Sequence, residues 1–146
     1  MMKKIFFVAS VVLCFMNMQC NDDDGIDPSL FVCDQAVVVD KEVYDNLDSA
    51  HFTLVNAEIS NNCLTIEISA SGCDGNSWEF NLIDSGAIAE SSPEQRYLKL
   101  QLVNKEACLA VFKRTVSFDL TPLQVSGSRE IILHLKGLES SLNYKY

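Results

Sequence analysis

The sequence is short of the side chains on which most enzymes and nucleic-acid-binding proteins depend. It has two histidines, His51 and His134, and 11 basic residues against 20 acidic ones, which gives a formal net charge of −9. A chain this acidic repels nucleic acid, so no nucleic-acid partner is predicted. It also has no G-x-S-x-G elbow, H-E-x-x-H pair, P-loop or dinucleotide-binding glycine motif. These absences favour a non-enzymatic protein that uses no metal or cofactor.

Only one long apolar run is present, and it lies near the N-terminus. Residues 5–16 follow two lysines in the pattern of a secretory signal. They are too few to span a bilayer, which takes about 20 apolar residues. Cys20 follows this run and resembles the lipobox cysteine of bacterial lipoproteins, with Asn17 and Gln19 where that motif usually has leucine and a small residue. The resemblance implies that residues 1–19 are a lipoprotein signal peptide and that Cys20 is acylated, with palmitate among its acyl groups.

Three aspartates follow Cys20 almost at once. The stretch Asn21-Asp22-Asp23-Asp24 resembles the acidic tag that directs some Gram-negative lipoproteins to the outer face of the outer membrane. That resemblance implies a lipid-anchored protein displayed at the cell surface. The alternative is that the aspartates only keep a tether solvated.

The composition divides the chain into three parts. Residues 1–19 form the predicted signal peptide, residues 20–34 an acidic tether with Gly25 and Pro28, and residues 35–146 one folded domain. Once residues 1–19 are removed, 9 basic and 20 acidic residues remain, a net charge of −11. Attachment to the membrane must then come from the acyl chains rather than from a basic surface.

Four cysteines lie in the rest of the exported chain: Cys33, Cys63, Cys73 and Cys108. An even number in an oxidising compartment favours two disulfides, for which three pairings exist. Their spacings include no C-x2-C knuckle, so a zinc site is not predicted. The preferred pairing is Cys73 with Cys108 and Cys33 with Cys63, because Cys73 and Cys108 both lie at predicted junctions that a disulfide would fix.

Alternation of apolar and polar residues dominates the sequence after the tether. In residues 63–70 the apolar side chains recur at every second position, which predicts a strand with one buried face. Residues 60–62 are predicted to form a hairpin turn, and residues 40–49 a short helical turn. Seven or eight short strands separated by turns predict an all-β, antiparallel β-sandwich with Ig-like architecture. The other alternating sets are Trp78, Phe80, Leu82; Leu98, Leu100, Leu102; Val116, Phe118, Leu120; Ile131, Leu133, Leu135; and Leu142, Tyr144, Tyr146.

The runs "SGCDGNSWEFNLIDSG", "ESSPEQRYLKLQLVNKEAC" and "SFDLTPLQ" resemble small uncharacterised lipoprotein domains of bacterial envelopes. Trp78, five residues after Cys73, is similar to the tryptophan that packs against a disulfide in immunoglobulin-like domains, but the full Cys–Trp–Cys spacing is not met. The resemblance implies an architecture and a location. It implies no activity.

Few side chains qualify as a site. Tyr97 lies on the outward phase of its strand and is the one weak binding candidate. Tyr144 and Tyr146 are expected to complete the core rather than to form a binding platform. His51 and His134 are interpreted as ordinary surface residues, since His134 alternates with two core leucines.

The predicted function is that of a non-enzymatic binding or structural module for a protein or a glycan at the outer-membrane surface. The alternative is an inhibitor or accessory subunit of a secreted hydrolase that presents residues 85–95. A third hypothesis, a small hydrolase that uses Glu90 and Glu94, is disfavoured because these residues fall in a predicted loop, where solvated charges are expected.

Overall fold

The computed structural model describes residues 32–146, in which the regular secondary structure is almost entirely β-strand. Nine strands, one α-helix and one 3-10 helix follow each other within these residues. Their order is β1 (Gln35–Ala36), β2 (Val38–Val39), α1 (Lys41–Asp45), β3 (Thr53–Ser60), β4 (Cys63–Gly72), β5 (Glu79–Asp84), β6 (Glu94–Val103), β7 (Ala110–Asp119), the 3-10 helix (Thr121–Leu123), β8 (Glu130–Leu135) and β9 (Leu142–Lys145).

The strands form two sheets that enclose one core. The four-stranded sheet has the order β1-β7-β4-β3, and the five-stranded sheet has the order β2-β5-β6-β8-β9. The predicted all-β sandwich is therefore confirmed. The structure differs from the prediction in that both sheets are mixed, with parallel pairings of β1 with β7, β2 with β5 and β6 with β8.

The parallel pairing of β6 with β8 follows from the path of the chain. After β6 the chain crosses to the other sheet for β7 and then returns, so β8 runs in the same direction as β6 and lies beside it. Alternation in the sequence predicts that each strand exists but carries no information about such a pairing.

The core is formed by the alternating residues that the sequence places on one face of each strand. Besides Tyr144, ten of its side chains are completely buried, and each contributes about 1.5–3 kcal/mol through removal of apolar surface from water. Tyr144 is fully buried and Tyr146 packs partly against the same cluster, so both complete the core as expected. The ten are Leu64, Ile66, Ile68, Leu82, Leu98, Phe118, Leu120, Leu123, Ile131 and Leu133.

Local sequence explains the first hairpin and the helix. Asn61 has φ of 53°, a left-handed conformation that asparagine tolerates, and with Asn62 it forms the turn between β3 and β4. Helix α1 begins after Asp40, whose carboxylate accepts a hydrogen bond from the Val43 N–H at 2.9 Å. Both elements lie where the sequence predicts them.

Two contacts fix the start of the domain. Cys33 forms a disulfide with Cys63, and the Asp34 carboxylate accepts hydrogen bonds from the N–H and the hydroxyl of Ser117 at 2.8 and 2.7 Å. The folded domain thus includes Cys33 and Asp34, which the sequence analysis assigned to the tether. The predicted signal peptide, Cys20 and most of the tether lie outside the described residues.

Candidate functional site

Tyr97 lies on the outer face of the five-stranded sheet beside His134. The parallel register of β6 and β8 places these residues opposite each other, and their rings stack with centroids 5.1 Å apart at an interplanar angle of 18°. A ring nitrogen of His134 lies 2.7 Å from Oε1 of Gln95, which orients the imidazole. Tyr97 keeps 41% of its surface exposed, so the pair offers a fixed aromatic surface to solvent.

Two lysines lie next to this stack on the same face. Lys99 follows Tyr97 by two residues, and Lys136 follows His134 by two residues, so alternation directs all four side chains outward. The Lys99 ammonium donates a hydrogen bond to the Tyr44 carbonyl at 2.7 Å and lies 4.0 Å from the centroid of the Tyr44 ring. Burial raises the pKa of the Tyr44 hydroxyl, so that ring stays neutral beside the lysine at physiological pH.

A groove of about 550 Å³ opens beside the two lysines. Its apolar lining comes from Phe52, Leu54 and Leu100, and its basic lining from Lys99 and Lys136. His51 also lines it, and no acidic residue does. We call this surface the basic groove; its full lining is Leu47, Ser49, Ala50, His51, Phe52, Thr53, Leu54, Lys99, Leu100, Lys136 and Gly137.

The basic groove exists because β8 is shorter than β6. Strand β8 pairs with β6 only as far as Leu98, so the second half of β6 lacks a strand on that side. The segment before β3 partly fills the gap, since the Ala50 N–H donates to the Leu102 carbonyl and the Leu102 N–H donates to the Ser49 hydroxyl, both at 2.9 Å. The rest stays open and suits a group with apolar atoms and a negative charge.

A buried ion pair lies at the inner face of the same sheet. The Arg96 guanidinium donates two hydrogen bonds to the Asp84 carboxylate at 2.6 and 3.1 Å, and a third to the Leu123 carbonyl at 3.2 Å. The Asp84 side chain is fully buried, and its carboxylate also accepts the Gly86 N–H at 2.7 Å. The pair connects the loop after β5 to the 3-10 helix, which is a structural role. This pair is not predicted from the sequence, although Arg96 falls in phase with Leu98 and Leu100 on the core side.

The two loop carboxylates proposed for hydrolysis occupy different environments. Glu94 was expected in a loop but is the first residue of β6. Its carboxylate accepts a hydrogen bond from the Ser128 hydroxyl at 2.8 Å. Glu90 is exposed in the loop before it. The loop is fixed by its own contacts, since the Ala89 N–H donates to the Gln95 carbonyl at 3.0 Å, and it presents Ile88 with 44% of its surface exposed.

The second disulfide, Cys73–Cys108, closes a loop that is held by charged side chains. The Glu106 carboxylate accepts hydrogen bonds from the N–H groups of Cys73 and Gly75 at 2.5 and 3.1 Å and from the Ser77 hydroxyl at 2.7 Å. The Ser77 hydroxyl, followed by these backbone donors, lowers the pKa of Glu106 to about 2. The N–H groups that could bind an anion are already occupied.

Arg114 and Trp78 complete this disulfide-closed loop. The Arg114 guanidinium donates to the carbonyls of Asp74 and Gly75 at 2.7 and 3.1 Å. Trp78 is buried beneath the loop, and its indole N–H has no hydrogen-bond partner among the described residues. The two disulfides predicted from the sequence are thus present, in the preferred pairing.

Within residues 32–146 no group of three or more histidine, cysteine, aspartate or glutamate side chains is arranged to hold a metal ion. Among the helices described for the chain, none has the length and apolar character needed to cross a membrane. Cys20, the predicted lipidation site, lies outside these residues.

Comparison with known proteins gives a fold but no family. The chain matches no family model, and no curated protein matches it. The solved structures that are similar to it include a protein of unknown function, DUF1344, from Bacteroides vulgatus, a putative toxin-related protein from Parabacteroides distasonis, and a NigD-like immunity protein from Bacteroides caccae.

The similarity to these structures is moderate. The TM-scores are 0.51, 0.51 and 0.52, with sequence identities of 14%, 17% and 10% in the same order. The alignments cover 77%, 77% and 75% of this chain but 55%, 58% and 59% of those chains, so this chain spans less than two thirds of their length. At such identity the similarity shows a common fold alone.

Proposed function

We propose that the protein is a lipid-anchored module of the bacterial outer-membrane surface that binds a protein partner and catalyses no reaction. The anchor is the acylated Cys20, and the acidic tether carries the sandwich away from the membrane. The two disulfides support an extracytoplasmic location, because such bonds persist in oxidising compartments.

The basic groove is the observation that carries the proposal. In a chain with a net charge of −9, a groove lined by two lysines, a histidine and no acidic residue is a local reversal of charge. It adjoins the exposed Tyr97–His134 stack, so apolar, aromatic and cationic groups meet on one surface. Aromatic side chains such as tyrosine contribute disproportionately to binding energy at protein interfaces, and complementary charge favours the matching partner.

A protein is the preferred partner. Two of the structures that share the fold are described as a NigD-like immunity protein and a putative toxin-related protein. These descriptions favour a protein partner over a metabolite. A glycan that stacks on Tyr97 is the competing partner, and retention on a polysaccharide column that is lost in Tyr97→Ala would favour it.

Site-specific photo-crosslinking in the native envelope tests the binding surface. A photoreactive residue placed at Lys136 is expected to crosslink a distinct protein. The same residue at Lys113, an exposed lysine on the outer face of the other sheet, serves as the matched control and is expected not to do so. Identical crosslinks from both positions, or none from Lys136, would contradict the proposal.

Intact mass spectrometry of the protein from its own membrane tests the anchor. The expected mass is that of a chain beginning at acylated Cys20, with a gain of four hydrogens on reduction of the two disulfides. A mass that retains residues 1–19, or one without acyl chains, would refute the anchor and leave the binding surface to be judged separately.

A second candidate function is inhibition of a secreted hydrolase by residues 85–95. The observation in its favour is that this loop is held by internal hydrogen bonds and presents Ile88, because a preformed loop loses little entropy on binding. Inhibition that disappears in Ile88→Asp but persists in Lys136→Glu would support this function over the first.

A further inference from the structure

We infer that the partner contributes an extended acidic segment that pairs as an added strand with the free edge of β3 and inserts a side chain into the basic groove. This inference rests on the proposed function and specifies its binding mode. Strand addition of this kind combines backbone hydrogen bonds, which give affinity, with pockets for alternate side chains, which give specificity.

Strand β3 has an unpaired edge, and strand β9 of the other sheet lies near it without pairing. It pairs with β4 on one side only, and it is the outermost strand of its sheet. Ser60 and Cys63 are paired across the two-residue turn, the position at which an antiparallel hairpin has a hydrogen-bonded pair. Alternation from that pair places Ala57 and Ile59 in non-hydrogen-bonded pairs, so their N–H and C=O groups are directed away from β4. Among the described residues, none donates to or accepts from these outward groups.

The edge also lacks the usual protection against pairing. Natural sheets guard exposed edges with proline, lysine, short strands or bulges. Strand β3 has eight residues and contains neither proline nor lysine; its protection is limited to Glu58 and a bulge at Val55. Four residues remain between the bulge and Ser60, enough for a short added strand to form several hydrogen bonds.

The edge leads directly into the basic groove. Thr53 and Leu54, the first residues of β3, line the groove together with Lys99 and Lys136. A segment that pairs with β3 therefore passes the groove at that end of the strand, where it can place a side chain against Phe52. Apolar atoms of that side chain would contact the floor, and a neighbouring carboxylate would face the lysines.

Charge favours a different protein over a second copy of this chain. Two copies that begin at Cys20 and pair through β3 would each carry a net charge of −11, and neither β3 supplies more than one carboxylate, Glu58, to a basic groove. An acidic segment of another protein places its carboxylates against the two lysines of the groove and does not require a second domain of the same net charge beside the first.

Selection from a displayed library of random twelve-residue peptides tests the inference on the full-length protein in detergent. The enriched peptides are expected to alternate apolar residues with aspartate or glutamate. Ala57→Pro removes an outward N–H at an edge position where proline is tolerated, and it should weaken their binding about tenfold. Ala57→Val has similar bulk and keeps the N–H, so it should bind them as the unaltered protein does.

The groove is tested with a charge reversal. Lys136→Glu should weaken the selected peptides about tenfold, with a loss that shrinks as salt is added. Lys113→Glu makes the same change in net charge on the other sheet and should leave binding unchanged. Should Ala57→Pro fail to fold, selected peptides with N-methyl groups at every second residue give the same test, since one of the two methylated phases should lose binding.

The outcomes separate the inference from the function on which it rests. Strand addition would be overturned by peptides that bind Ala57→Pro as tightly as the unaltered protein, or that tolerate N-methylation in both phases. Enrichment of basic sequences would also overturn it, and so would a selection on the unaltered protein that enriches no peptides beyond those obtained with Ala57→Pro. Self-association that Ala57→Pro abolishes would identify a second copy as the occupant and also overturn it. If strand addition fails while crosslinking from Lys136 still finds a protein, the binding function stands and only the mode is wrong.

Discussion

Removal of the charge of Arg96 should be among the most damaging single changes in the domain. Arg96→Met keeps an unbranched side chain but leaves the Asp84 carboxylate, fully buried, without its bidentate partner. Loss of one member of a buried ion pair costs about 3–5 kcal/mol, because the remaining charge is neither solvated nor paired. A domain of this size has a free energy of unfolding of about 5–15 kcal/mol, so the variant should lose much of its stability.

The double variant Asp84→Leu/Arg96→Met separates the loss of the pair from the loss of packing. With both charges gone, the remaining cost is mainly the Gly86 N–H, which loses its acceptor, and the Leu123 carbonyl, which loses its donor. Each contributes about 1 kcal/mol, so the double variant should be more stable than Arg96→Met.

The free energies of unfolding of both variants are measured by urea unfolding with the disulfides intact. The signal is the fluorescence of Trp78, the single tryptophan. Equal m-values would show that the same surface is exposed on unfolding in each protein. A loss below about 1 kcal/mol for Arg96→Met would refute the argument, and so would a double variant whose loss equals the sum of those of Asp84→Leu and Arg96→Met.

Two further predictions concern the loop contacts and the first disulfide. The pKa of Glu106 is about 2 in the folded state, against an ordinary value of 4.5, so its contacts stabilise the fold above pH 4.5 and this contribution is lost as the pH falls toward 2. The amide resonance of Gly75, whose N–H donates to Glu106, should therefore titrate with a midpoint near pH 2. A midpoint near pH 4.5 would contradict the network. Replacement of Cys33 and Cys63 by serine should lower the free energy of unfolding by about 3–4 kcal/mol on the chain-entropy estimate, measured by urea unfolding, and a loss below about 1 kcal/mol would show that the start of the domain is held by other contacts.

The sequence predicts the longer strands because each obeys a local rule, whereas the two-residue strands β1 and β2 show no alternation and are not predicted. In β4 every second side chain from Leu64 to Ala70 enters the core, as the alternation indicates. The turn at Asn61 and the helix after Asp40 have equally local causes. The disulfide pairing is predictable for a related reason, because Cys73 and Cys108 lie at junctions between these elements.

The buried pair and the candidate site depend on contacts between distant segments. Arg96 lies 12 residues from Asp84, and only the antiparallel pairing of β5 with β6 brings the two together. The in-phase position of Arg96 with Leu98 was a usable signal of burial, since a charged residue on the core face requires a partner. Its partner could have been sought at the in-phase end of β5, where Asp84 follows Leu82.

The basic groove carries no comparable signal. Lys99 and Lys136 lie 37 positions apart in the sequence, and they become neighbours only because β8 returns parallel to β6 and ends at Leu135. If β8 continued for two more residues along β6, it would cover the edge of β6 at Leu100, which now borders the groove. The length of one strand in a non-local pairing therefore decides whether the apolar interior is sealed or open at this point, and the charges that surround the opening decide which partner it can accept.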